Sequence, residues 1–154
     1  MAIGDICNRE VVIAQRETTV LEAARLMRQH HVGDLVIVDE TDGKRIPVGI
    51  ITDRDVVLEV ICMELDAAVL TAGDIMGLKL ATVRESEGVF ETMRYMRTRG
   101  VRRLPVVSAQ GVLIGIVTLD DLLELLAEEM NELAKLVSKE RMHEKLSRSV
   151  PPPS

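Results

Sequence analysis

Apolar positions along the chain follow two spacings, and the spacings alternate. From Thr19 to about His31, Val20, Ala23, Ala24 and Met27 recur at i, i+3, i+4 and i+7, the stripe of a helix that buries one face. Short continuous apolar runs surround it: VVIA at 11–14, LVIV at 35–38 and VGIIT at 48–52. Runs of that kind predict strands covered on both faces. A second helix opens at Thr52. The order then returns, with LATV at 80–83, a helical stretch from Glu87 to about Arg99, RLPVV at 103–107, LIGIVT at 113–118, and a helix opening at Thr118. Each half reads β-α-β-β-α.

The halves are copies. An offset of 69 pairs Gly4–Ile6 with the start of Gly73–Met76, VLEAARLMR (Val20–Arg28) with VFETMRYMR (Val89–Arg97), and VGDLVIV (Val32–Val38) with VRRLPVV (Val101–Val107). Beyond that point the offset drops to 66 and lays VGIITDRD over IGIVTLDD. The three residues lost fall in DETDGKRIP, Asp39 to Pro47, a turn-like cluster where length changes cost little. A unit of about 70 residues is marginal alone, so the two are expected to pack sheet to sheet about a pseudo-twofold. The fold class is α/β (α+β): residues 1–66 form the first repeat, 67–126 the second, 127–150 a helical extension and 151–154 a disordered tail. Pro105 points to an edge strand or a strand start, because it cannot donate to a ladder. From Leu119 no Gly or Pro interrupts the chain until Pro151, so one long helix is expected. Leu122, Leu126, Met130, Leu133 and Val137 are spaced close to a coiled-coil seam.

Composition narrows the function. Phe90 and Tyr95 are the only aromatics, so stacking platforms for single-stranded nucleic acid are missing, and a net charge of −6 gives no pull toward nucleic acid or anionic membrane. Cys7 and Cys62 lack metal-like spacing and fit a reduced compartment. MAIGDICNRE lacks a signal-peptide layout and the apolar runs are too short to span a bilayer, so a cytoplasmic protein is expected. No Ser/His/Asp or Cys/His set and no Walker-type loop stands out, which argues against an enzyme. His30 and His31 close a helix, His143 reads as surface, and the eight methionines read as packing, so no metal site is expected.

Two junctions carry the chemistry: Gly49-Ile50-Ile51-Thr52-x-x-Asp55 and Gly115-Ile116-Val117-Thr118-x-x-Asp121. The plain account is helix capping, with Thr accepting from a first-turn amide and Asp favouring the helix start. The pair Asp53/Asp55 and the doublet Asp120-Asp121 read as helix-start acids, although such pairs also accompany Mg²⁺ with nucleotides. A helix start facing a cleft also presents amides to an anion, so cap residues there can serve a ligand as well.

At these residues the chain resembles the cystathionine-β-synthase-type domain pair, or Bateman module, over roughly residues 3 to 125. The resemblance rests on the GDIM-like openings, VGDLVIVD, VRRLPVV and the two G-h-h-T-x-x-D junctions together. It implies a regulatory module without catalysis or a required cofactor. Such modules bind adenosine-containing ligands (AMP, ADP, ATP, NAD or S-adenosylmethionine) in two clefts between repeats and transmit occupancy to a partner. The family's phosphate and ribose contacts carry over to Thr52 and Asp55, and to Thr118 and Asp121. Ile50 and Ile116 would line the base, as would backbone around Val12 and Ala81, and around Val32-Gly33 and Val101-Arg102.

The clefts cannot be equivalent, since Gly33-Asp34 stands where the second repeat has Arg102-Arg103. Five arginines lie between residues 94 and 103 with no acid among them. Arg94 and Arg97 read as solvated, whereas Arg102 and Arg103 are candidates for phosphate, with Arg54 a weaker one. No enzyme or transporter domain accompanies the pair, so another chain is the expected target. The unpartnered stripe on the last helix predicts a homodimer or a protein effector docked there. The competing function is a structural or oligomerisation module with empty clefts, acting through that helix.

Overall fold

The computed structural model describes residues 1–149, and side chains through residue 147. The expected tail at 151–154 lies outside the described residues. The chain divides into one unit from Met1 to Thr118, holding both sheets, and a second from Leu119 onward. In the first unit a short 3-10 turn, Ile3–Asp5, leads to β1 (Ile13–Ala14), α1 (Val20–His30), β2 (Asp34–Thr41) and β3 (Lys44–Thr52). Then come α2 (Asp53–Val56), continued by a π-helical turn at Val57–Ile61, and α3 (Ala72–Ile75). The second half adds β4 (Val83–Arg84), α4 (Val89–Arg99), β5 (Arg103–Val107) and β6 (Leu113–Thr118). Each half makes a three-stranded sheet, β1-β2-β3 and β4-β5-β6, with the first pair parallel and the second antiparallel.

Period-two alternation explains how a strand is buried twice over. Leu35, Ile37 and Ile51 face Val20, Ala23 and Met27 of α1 together with Val56 and Val60. Val36, Val38 and Ile50 face the other way and meet Ile116 and Leu113 of the second sheet. The sheets therefore pack on each other as the patterning predicts. Thr19 caps α1 through a capping box, its Oγ1 accepting from Glu22 N–H at 3.1 Å.

Three details depart from the sequence reading. First, β1 and β4 are shorter than VVIA and LATV, although the Val12 carbonyl still accepts from Val36 N–H at 3.1 Å. Second, most of DETDGKRIP is strand. Asp42 and Gly43, at φ 52° and 76°, make a two-residue turn, and the extra residues lengthen the β2–β3 hairpin. Third, Pro105 lies in the central strand of its sheet, neither at an edge nor at a strand start. It is tolerated because its register partner Ile116 directs both backbone groups to Asn8, and because the β4 ladder begins one residue later, at Val106.

The repeats exchange their opening segments. Ile3 N–H donates to Glu87 O at 2.7 Å and Gly4 N–H to Glu85 O at 2.9 Å, while Ala72 N–H donates to Thr18 O at 2.7 Å and Gly73 N–H to Arg16 O at 2.9 Å. These two pairs of bonds coincide under the offset of 69. Each GDI segment thus straps the connection between the first strand and first helix of the other repeat. Gly49 and Gly115 leave room for the straps, since a Cβ would lie 2.6 Å from Met76 Sδ at the former and 2.6 Å from the Asn8 carbonyl oxygen at the latter.

From Leu119 the chain is a single helix, α5 (Leu119–Ser149), of 31 residues. Along it Met130, Leu133, Leu136, Val137, Met142 and Leu146 are exposed.

Candidate functional site

At the first junction β3 ends and α2 begins. Thr52 Oγ1 accepts from Asp55 N–H at 3.1 Å, and Asp55 Oδ2 accepts from Thr52 N–H at 2.9 Å. The capping box that the spacing predicts is formed. It engages one oxygen of Asp55 and one lone pair of Thr52, so Asp55 Oδ1 and the Thr52 hydroxyl proton retain hydrogen-bonding capacity. Both residues are half-buried. Asp53 N–H donates to Gly33 O at 3.0 Å, and Asp34 stands opposite Thr52 in the ladder. The segment Gly33-Asp34 and the junction Thr52-Asp53 are therefore one local structure. A Cβ on Gly33 would lie 3.3 Å from Asp53 Oδ2.

The second junction has the same register, with Arg103 opposite Thr118 at the end of β6. Asp121 lies in the first turn of α5.

The two junctions meet through a charge pair. Arg103 Nε lies 3.1 Å from Asp34 Oδ2, with side chains 33% and 23% exposed. Despite that distance the Nε–H is not aligned on the carboxylate and has no hydrogen-bond partner, so the contact is an ion pair rather than a directed bond. Burial pushes the Asp34 carboxyl above its ordinary range; Arg103 opposes that shift and Asp53 adds to it. At the surface the reverse holds: the hydrogen bond from Arg16 holds Asp39 below the usual range.

Of the other candidates, Val12 and Val32 line one cavity of about 530 Å³ together with Asn8, Leu26 and His30. That volume falls within the range of small-molecule sites. His30, read from the sequence as closing its helix, lies at the end of α1 as expected. Asn8 carries no local signal, because it arrives on the exchanged strap. Ile50 and Ile116 lie together in the inter-sheet core, with Ile116 7% exposed. Val101 N–H bonds Met96 O at the end of α4, and Ala81 is half-buried just before β4. Arg54 and Arg102 are exposed, and among the described residues neither forms an ion pair. Arg94, Arg97 and Arg99 are exposed, and Arg99 sits 5.9 Å from the Tyr95 ring centroid. Among the described residues no group of His, Cys, Asp and Glu is arranged to hold a metal, and no helix is long and apolar enough to cross a membrane.

Two three-stranded sheets, a duplicated strand-to-helix junction and reciprocal straps define a tandem-repeat domain pair with related junctions on either side of its pseudo-twofold. The CBS domain profile matches residues 3–61 and 72–128, and the chain belongs to the CBS domain family. It is 34% identical over 124 residues to hypoxic response protein 1 of Mycobacterium tuberculosis, a match covering 80% of this chain and 84% of that one. It is 39% identical over 125 residues to an uncharacterized protein of Methanopyrus kandleri, spanning 81% of this chain but 62% of that protein's length. Among solved structures, the CBS domain pair of protein MJ0100 in complex with 5-methylthioadenosine and S-adenosyl-L-methionine superposes with a TM-score of 0.72. That match has 27% identity and covers 84% of this chain and 98% of that one. CBSX2 in complex with AMP gives a TM-score of 0.69 at 26% identity, covering 84% and 98%.

Proposed function

We propose that the chain is a regulatory sensor of adenosine-containing ligands and transmits their occupancy to a partner protein. The observation that supports this most is the first junction. Its capping box leaves Asp55 Oδ1 able to accept from ribose hydroxyls and the Thr52 hydroxyl able to donate to a phosphate oxygen. The relatives whose structures hold AMP, or 5-methylthioadenosine with S-adenosyl-L-methionine, support the ligand class. Val12 and Val32, in their cavity, serve the base, and Gly33, packed against Asp53 at the first junction, gives close approach beside it. The corresponding second site uses Thr118, Val101, Ala81 and Arg102. Arg102 reads the phosphate there first, because it is exposed and free of any ion pair among the described residues, and Arg103 reaches the phosphate only when its ion pair with Asp34 opens.

Melting the protein with AMP, ADP, ATP, NAD and S-adenosylmethionine tests the ligand class. A ligand at about 100 times its Kd stabilises the fold by about 2.7 kcal/mol. No shift with any of them at millimolar concentration would leave the reading without support.

The exposed apolar residues of α5 favour a second element, homodimerisation or effector docking through that helix. Light scattering is expected to give a dimer mass near 50 μM; a monomer mass would assign the helix to another protein.

A further inference from the structure

Asp34 and Arg103 occupy the same position in the two repeats, each the first residue of its central strand and each opposite the threonine of its own junction. Duplication alone would have placed two like residues face to face across the pseudo-twofold. Instead one is acidic and one basic, and they lie 3.1 Å apart. The run Thr52–Asp34···Arg103–Thr118 therefore connects one junction to the other through a single charge contact.

That contact is poorly satisfied. Arg103 Nε is buried and its N–H is unpaired. The folded chain disfavours the Asp34 charge even with a guanidinium alongside, because burial outweighs Arg103 and because Asp53 is near. A phosphate oxygen brought to Arg103 would supply an aligned, charge-assisted bond that Asp34 does not.

We propose that this ion pair is a ligand-displaceable bridge: Asp34 competes with the phosphate of an adenosyl nucleotide for Arg103, so that phosphate binding at the second junction releases Asp34 beside the first. The inference rests on the adenosyl-binding reading and adds the residue that restrains it. Asp34 lowers affinity for nucleotides without touching nucleosides. Once released, its carboxylate adds to Asp53 and makes the first junction less hospitable to a second phosphate, so occupancy of one junction is felt at the other.

The test is a double-mutant cycle read by calorimetric titration of AMP and adenosine against the wild type, Asp34→Asn, Arg103→Gln and the double variant. Asp34→Asn is isosteric and removes a charge the fold disfavours, so it should melt near the wild type. It should bind AMP about tenfold more tightly, equivalent to about 1.4 kcal/mol, with adenosine within about twofold of the wild type. In the Arg103→Gln background the same substitution should give no gain. Unchanged AMP affinity in Asp34→Asn overturns the bridge while leaving the adenosyl reading standing, provided adenosine still binds. A gain that persists without Arg103 makes the effect a general one of charge and also overturns it. An Asp34→Asn chain that melts far below the wild type makes the pair a structural brace, with the same consequence. If neither AMP nor adenosine binds any of the four proteins, the sensor reading fails and the bridge fails with it.

Discussion

Gly115→Ala is expected to cost about 3–4 kcal/mol, and Gly49→Ala only about 1–2, although the two glycines are equivalent by repeat. At Gly115 the new methyl would lie 2.6 Å from the Asn8 carbonyl oxygen and 2.8 Å from Cys7 Sγ. The carbonyl is fixed, because Asn8 and Ile116 exchange two backbone bonds of 2.9 Å. Making room means pushing the strap off β6 and losing both bonds. Overpacking contributes about 1–3 kcal/mol, and each lost bond about 0.5–1.5. At Gly49 the obstacle is Met76, with Sδ at 2.6 Å and Cβ at 3.1 Å. A thioether end can swing aside. Urea unfolding of both variants checks the difference, and equal losses would mean the Asn8 strap is not held as described. Because Asn8 also lines the cavity with Val12 and Val32, Gly115→Ala should disturb that cavity as well.

The second large effect is on ligand choice. Arg102→Ala is expected to weaken AMP by about 10- to 100-fold, the worth of a charge-assisted hydrogen bond of about 1.5–3 kcal/mol, while leaving adenosine nearly unchanged. Arg102 is exposed and makes no ion pair among the described residues, so its removal leaves no buried charge behind and should not lower the melting temperature. Added salt should weaken AMP more than adenosine, since only AMP neutralises charge. Asp55→Ala behaves differently: it breaks the capping box, so it should lower stability by about 1 kcal/mol and weaken both ligands together. Equal losses of AMP and adenosine in Arg102→Ala would make the arginine structural or merely solvated.

Much of the fold was legible because it is written in local spacing. The stripe of Val20, Ala23 and Met27, the Thr52 cap, and the apolar runs of β2 and β3 all follow from a few neighbouring residues. The repeat offset showed which residues correspond, but not where each one goes. Nothing in GDI says that it bonds Glu85 and Glu87 of the other repeat rather than its own, since those contacts join residues more than eighty positions apart. Pro105 misled for the same reason: whether a missing N–H matters depends on what faces it, and Asn8 came from the distant strap. At the candidate site, the contrast between Gly33-Asp34 and Arg102-Arg103 was visible as asymmetry. That Asp34 and Arg103 would meet follows from the pseudo-twofold and was not visible in either repeat alone.

Adenosine is the ligand that isolates the central claim, because it carries the base and ribose but no phosphate and so depends on the junctions and not on the arginines. Calorimetric titration of the wild type and Asp55→Ala with adenosine is predicted to show saturable binding to the wild type, at no more than two equivalents per chain, and clear weakening in the variant. Wild-type protein that gives no saturable heat with millimolar adenosine, or an Asp55→Ala variant that is folded and binds as tightly as the wild type, would contradict the account.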